Sequence, residues 1–217
     1  DDTSVRAVVL AANGRSFSAG ADLGYMRKMA GFNQADNQRD AEQLAAMLAA
    51  LNNLPMPTIA RVQGAAFGGA VGLVSCCDMA VGSQRASFCL SEVKLGLIPA
   101  TISPYVLRAI GERAARRYFT TAERFDAATA ARLGLLSEVV DDSELDSTVE
   151  QLLDALLANG PCAVREAKAL VLDYGGRSIE PALILDSSER IARLRVSAEG
   201  QEGLASFFGK RPPAWQQ

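Results

Sequence analysis

The stretch QGAAFGGAVGLVSCCDMA, residues 63–80, decides how the chain folds. It is almost entirely apolar, yet it carries four glycines at Gly64, Gly68, Gly69 and Gly72. Glycine is costly inside a helix and packs poorly inside a strand, so a plain core segment should not collect it. A strand that runs into GAAFGGAVG, with Gly68 and Gly69 where a helix would begin, gives these glycines a use. Two bare residues at such a turn let a ligand reach the backbone N–H groups. They also permit close packing of helix on sheet, and the segment alone does not choose between the two.

Outward from this turn, apolar runs alternate with helical patterns. VRAVVLAA (5–12) reads as a buried first strand, and the pattern from about 35 to 53 as a helix ended by Pro55 and Pro57. PTIARVQGAAF (57–67) reads as one buried strand, CDMAVGS (77–83) as the next and ASFCLSEV (86–93) as a fourth. YVLRAIGERAARRYF (105–119) is an amphipathic, basic helix, AATAARLG (127–134) a short one stopped by Gly134, and LLSEVV a last strand. From about 143 onward nearly everything reads helical. The expected class is α/β, with a core over 1–142 and a C-terminal helical region over 143–217. Only four residues precede the first strand, so an N-terminal segment is expected to be missing.

Composition narrows the function. A formal charge of −3 over 217 residues argues against a general binder of nucleic acid or of anionic membranes. The apolar run at 63–81 is too broken by Gln63, Asp78 and its glycines for a membrane span. Four cysteines, two of them adjacent at Cys76 and Cys77, have neither metal-like spacing nor the form of a disulfide framework. They read as buried free thiols in a reducing compartment, which points to the cytoplasm. There is no histidine at all, which excludes Ser-His-Asp and Cys-His catalysis and the usual metal sites. Any proton chemistry must fall to carboxylates, Lys, Tyr or Cys.

Two turns and one acid then stand out. SFSAGADL (16–23) places small residues and Gly20 after the first strand, with Asp22 ahead of the apolar LGYMRKMAGF. Backbone N–H groups in such a turn can face an oxyanion; equally, Asp22 can be a helix N-cap. With the Gly68-Gly69 turn it could offer two converging donors, which a carbonyl oxygen becoming an enolate requires. Glu92, in FCLSEVKLGLIPA, lies among apolar residues where a carboxyl holds its proton more tightly, although a surface strand position fits the pattern too. Asp78 reads as structural, serving backbone N–H groups.

FSAGADL, PTIARVQGAAFGGAVGLVSCCDMAV, SEVKLGLIPA and SAEGQEGLASFFGKRPPAW together resemble the enoyl-CoA hydratase/isomerase (crotonase) family, in order and spacing over nearly the whole chain. The resemblance implies a crotonase fold, a spiral of ββα units with a C-terminal helical domain that builds homotrimers, often stacked as hexamers. It implies an acyl-CoA thioester as substrate, with coenzyme A part of that substrate and neither a separate cofactor nor a metal. Carried over by position, the oxyanion hole falls on the N–H groups of Ala21 and Gly69, and the acid/base on Glu92. Ala19, Asp22, Leu23 and Gly68 fall on substrate-binding positions. Phe207 and Lys210 fall on residues that touch the coenzyme of an adjacent subunit. Tyr25, Met26, Met29 and Thr101 are expected to line the acyl pocket.

The resemblance also exposes a gap. Typical hydratases use two glutamates, and the first of them would stand at position 72, which is Gly. Glu92 alone would orient water and move its proton, with Ser91, Thr101 or Ser103 to steady the water. The texture of VGLVSCCDMAV and SEVKLGLIPATISPYVL resembles bacterial hydratases of branched glutaconyl-type CoA thioesters, such as methylglutaconyl-CoA hydratase of leucine breakdown. Their substrates carry a distal carboxylate, for which Arg27, Lys28 and Lys94 are candidates. A Δ3-Δ2-enoyl-CoA isomerase, needing one carboxylate, and a non-catalytic acyl-CoA-binding member remain open alternatives.

Overall fold

The computed structural model describes residue 2 and residues 4–216. The first strand, β1 (Val8–Leu10), is shorter than the apolar run that contains it. Two helices follow, α1 (Leu23–Met29) and α2 (Gln34–Asn52), the second capped by Asn33, whose side chain accepts from the N–H of Asp36 at 2.9 Å. The run 57–67, expected to be one strand, is two: β2 (Thr58–Val62) and β3 (Ala65–Phe67), in different sheets. The chain bends between them at Gly64, whose φ of +60° suits glycine. Any Cβ there would also collide with the Arg15 carbonyl oxygen.

The same strand–strand–helix step then repeats. After α3 (Gly69–Cys76), β4 (Met79–Ser83) returns to the first sheet and β5 (Ser87–Cys89) to the second. The strand expected to reach residue 93 stops at Cys89, and Glu92–Leu95 forms a short 3-10 turn instead. Helix α4 (Ser103–Thr121) follows, broken at Gly111, where φ is +75° and the single helix expected there is interrupted. Then come β6 (Phe125–Asp126), α5 (Ala127–Leu133), β7 (Glu138–Val140) and α6 (Leu145–Leu157). The four-stranded sheet runs β1-β2-β4-β7, with β2–β4 and β4–β7 parallel; the smaller sheet runs β3-β5-β6. Each parallel strand of the larger sheet is joined to the next through the smaller sheet and a helix, which is the ββα spiral.

Contacts group the chain into two compact units: Val9–Leu54 with Thr58–Val149, and Pro55–Pro57 with the chain before Val9 and from Glu150 onward. The first unit holds a continuous core that includes Leu48, Val62, Val71, Val74, Phe88, Leu90, Ile102 and Val106, all nearly inaccessible. Asp78 is structural, as its setting suggested. Its carboxylate accepts from the N–H and hydroxyl of Thr58 at 2.7 and 2.9 Å, tying the starts of β2 and β4 together.

The second unit contains α7 (Pro161–Tyr174), α8 (Pro181–Arg195) and α9 (Ala198–Phe208). The start of α7 is capped by Glu199, which accepts from the N–H groups of Cys162 and Ala163 at 2.9 and 2.7 Å. Glu202 forms a bidentate pair with Arg211 at 2.6 and 2.8 Å. None of the four cysteines forms a disulfide; Cys76 and Cys89 are buried as expected, but Cys77 is half-buried and Cys162 is exposed. No helix among the described residues is long and apolar enough to cross a membrane.

Candidate active site

The two glycine-containing turns meet because the strand segments before them pair. Ser18 forms a parallel bridge to Ala66: its N–H donates to the Ala65 carbonyl and its own carbonyl accepts from Phe67, both at 3.0 Å. Phe17 adds a 2.7 Å bond to the Gln63 carbonyl. The turn at Ala19–Ala21 is thereby held alongside the end of β3. Gly20 has a φ of +124°. Asp22 is the N-cap of α1, its carboxylate accepting from the N–H of Tyr25 at 2.7 Å. Its side chain is thus committed to the helix, and Ala21 and Leu23 beside it are exposed.

At the second turn Gly68 takes φ +58° and ψ −125°, a backbone shape that side chains rarely adopt, and precedes the first residue of α3. Gly68 itself is buried and Gly69 is exposed, with open space where a side chain would stand. The Gly69 N–H belongs to the first turn of α3, which no side chain caps; the Val71 N–H donates to the Gly68 carbonyl at 2.9 Å, so a ligand would be met by the Gly69 end of that turn. The N–H of Gly68 is used differently, donating to the Cys89 carbonyl at 2.8 Å. That bond fixes the end of β5, and with it the segment carrying Glu92, against the glycine turn.

Glu92 is the charge-bearing group of this place. One carboxylate oxygen, Oε1, lies 3.4 Å from where a Cβ on Gly68 would be; the other, Oε2, is buried and has no hydrogen-bond partner. Burial raises the carboxyl above its ordinary range, because desolvation disfavours the charged form, and only a bond to its own backbone pulls the other way. A group poised to hold or release a proton beside a helix N-terminus suits transfer to a carbon next to an activated carbonyl.

The remaining expected residues are spread more widely. Tyr25 is partly exposed and its hydroxyl bonds Asp40, while Met26 and Met29 are half-buried on the same helix, which buries no residue fully. Thr101 and Ser91 are half-buried, and the Ser103 hydroxyl is spent on the Ala100 carbonyl at 2.8 Å. Arg27, Lys28 and Lys94 are all exposed, Lys28 lying over the Phe32 ring. Phe207, 77% exposed, and Lys210 belong to the C-terminal unit. One residue that the sequence pattern does not single out is Ile102. Its side chain packs directly onto Gly72, so a Cβ on Gly72 would lie 2.6 Å from the Ile102 Cβ. No periodicity marks that contact, because it joins residues thirty apart in number, one inside α3 and the other at the N-cap of α4.

Successive ββα steps set an uncapped helix start beside a desolvated carboxyl, an arrangement suited to proton transfer next to an activated carbonyl, and comparison assigns the family. The family model for enoyl-CoA hydratase/isomerase matches residues 1–217. A putative enoyl-CoA hydratase of Thermus thermophilus is 33% identical over 98% of this chain and 83% of its own length. The crystal structure of an enoyl-CoA hydratase from Shewanella pealeana superposes with a TM-score of 0.93 at 53% identity, covering 97% of this chain and 78% of that one. A putative enoyl-CoA hydratase/isomerase (crotonase) from Legionella pneumophila gives a TM-score of 0.94 at 48% identity, over 99% of this chain and 83% of its own. The chain belongs to the enoyl-CoA hydratase/isomerase family and has the crotonase fold.

Proposed function

We propose that the protein adds water across the 2,3-double bond of an enoyl-CoA thioester, with Glu92 as the single acid/base. The observation that carries this reading is the buried, unpartnered Oε2 of Glu92 beside the Gly68-Gly69 turn. The N–H groups of Ala21 and Gly69 hold the thioester oxygen as negative charge develops on it. Ionised Glu92 takes a proton from water as the hydroxyl bonds to C3. The electron pair of the double bond moves to C2 and the thioester oxygen, and Glu92 then returns the proton to C2. Atoms balance as one water added, and the carboxylate ends as it began.

The preferred substrate is a branched glutaconyl-type thioester such as 3-methylglutaconyl-CoA, a reading that rests on the likeness of the Gly72 and Glu92 segments to such hydratases. The exposed Arg27 and Lys28, which follow the Ala21 turn in sequence, and Lys94, two residues after Glu92, are the candidate cations for a distal carboxylate. The absence of an acid at position 72 favours a second reading, a Δ3-Δ2-enoyl-CoA isomerase that shuttles one proton between C4 and C2. Incubation with 3-methylglutaconyl-CoA and with a 3-enoyl-CoA, followed by mass, separates the two. Gain of one water supports the hydratase, and isomerisation without mass change supports the isomerase. Conversion of neither, in protein that still binds coenzyme A, defeats both and leaves a binding protein.

The same reading includes a homotrimer or a dimer of trimers. Support comes from the apolar side chains that the C-terminal unit leaves uncovered, among them Ile179, Val196, Phe207 and Phe208, each more than 75% exposed. In such an assembly Phe207 and Lys210 would reach the coenzyme of an adjacent subunit. Sedimentation tests this; a monomer at micromolar concentration defeats it.

A further inference from the structure

We propose that Ile102 is a positioning residue for Glu92: seated on the bare backbone of Gly72, it clamps the segment between β5 and α4 onto α3 and holds the carboxylate at the glycine turn. The proposal rests on the reading of Glu92 as the acid/base.

The segment is fixed mainly at its ends. On one side the Gly68 N–H bonds the Cys89 carbonyl at 2.8 Å, beside buried Leu90; on the other stand buried Pro99 and Ile102. Between them Leu95, Leu97 and Ile98 are exposed, and the backbone bonds are internal turns, such as Leu97 N–H to the Glu92 carbonyl at 3.1 Å. Its two ends, together with the packing of the 92–95 turn against α4, therefore decide where Glu92 stands. Both ends close on α3, one at its first turn and one at Gly72.

Gly69 and Gly72 are three residues apart and share a face of α3. Ile102 is 2% exposed, and its methyl Cγ2 and Cβ occupy the volume that any side chain at position 72 would need. A β-branched side chain has few rotamers with which to swing aside. The seat therefore exists only while residue 72 is glycine, and the same contact bars an acid from that position. The one-carboxylate character of the site is thus built by a pair of residues, one of them at the N-cap of α4.

Four variants test this: Ile102→Ala, Ile102→Val, Gly72→Ala and Gly72→Ala/Ile102→Ala. Kinetics are measured on whichever enoyl-CoA the parent converts. Because displacing a catalytic group by about 1 Å can cost up to about 100-fold, Ile102→Ala is expected to lower kcat about tenfold or more with KM held within about twofold. Ile102→Val, one methylene smaller, falls between, and decides the question if the alanine variant does not fold. A crystal structure of Ile102→Ala, or of Ile102→Val in its stead, should show Glu92 Oε1 moved away from Gly68. Gly72→Ala should melt lower than the parent, and the double variant should regain part of that loss, the sign of two residues in contact. Parental kcat in both Ile102 variants, an unmoved Glu92, or a double variant no more stable than Gly72→Ala overturns the proposal. If the parent converts no enoyl-CoA, the functional reading fails, while the melting cycle and the position of Glu92 still decide the clamp.

Discussion

Glu92 and Glu202 are the same side chain placed in two regions of the molecule and treated in opposite ways. Glu92 sits in the sheet-and-helix unit with one oxygen buried and unpartnered, and burial raises its carboxyl. Glu202 sits in the helical unit on the surface, gripped by both nitrogens of Arg211 and by the Ala214 N–H, and its carboxyl is lowered to about 2. The first arrangement makes the charged form of the carboxyl costly, and the second uses up the charge in holding Arg211 and the Ala214 N–H. Apolar side chains divide similarly. The first unit hides Phe88 and Leu90 completely, whereas the helical unit leaves Phe207 and Phe208 in the open, ring against ring at 5.6 Å. One region is organised around an interior, and the other leaves large apolar side chains exposed.

The sharpest way to break this comparison is Glu92→Gln. Because a positioned acid/base contributes about 10²–10⁴-fold, turnover of the true substrate should fall by that much, with thioester binding retained. Full activity in the variant would remove Glu92 from the mechanism.

The same variant tests the price of keeping the group desolvated. A carboxyl raised in the folded state binds protons there that the unfolded chain has released, so stability falls as pH rises from its ordinary 4.5 through the raised value. Thermal melts should therefore show Glu92→Gln more stable than the parent above that window and equal to it below about pH 4, where both folded and unfolded glutamate are protonated. Equal melting at every pH would mean that Glu92 is not desolvated.

Asp78 offers a purely structural contrast. Asp78→Ala strands the Thr58 N–H and hydroxyl, and leaving a buried donor unmet costs about 1–3 kcal/mol, so denaturation should show a loss of that size with kcat unchanged. A fall in kcat without a loss of stability would contradict the assignment.

The smallest effect belongs to Glu202→Gln. A depressed carboxyl gives stability that is complete above its ordinary 4.5 and is lost as pH falls toward about 2. The parent should hold a slight advantage in melting temperature at neutral pH, reduced by salt because the pair is exposed, and none near pH 2. An advantage that survives at pH 2 would show that packing, not charge, joins Glu202 to Arg211.

Much of this was legible in the residues themselves. The strand–helix alternation and the glycine turn at 68–69 follow from local chemistry, because backbone freedom and apolar periodicity are properties of short stretches, whereas the choice of Glu92 rests on the family resemblance. The lack of histidine limited the chemistry before any fold was known. Tertiary structure decided the rest, and at particular places. The run 57–67 became strands of two sheets, bent at Gly64, where φ is +60° and the Arg15 carbonyl leaves no room for a side chain. Asp22 became a helix cap and Glu92 left its strand for a 3-10 turn. Above all, Gly72 reads in the sequence only as an acid that is missing, and the fold shows why none could stand there: Ile102, thirty residues on, fills the place. A sequence determines what each residue can do with its neighbours in the chain, but which distant side chain claims the same volume is settled only when the helices pack.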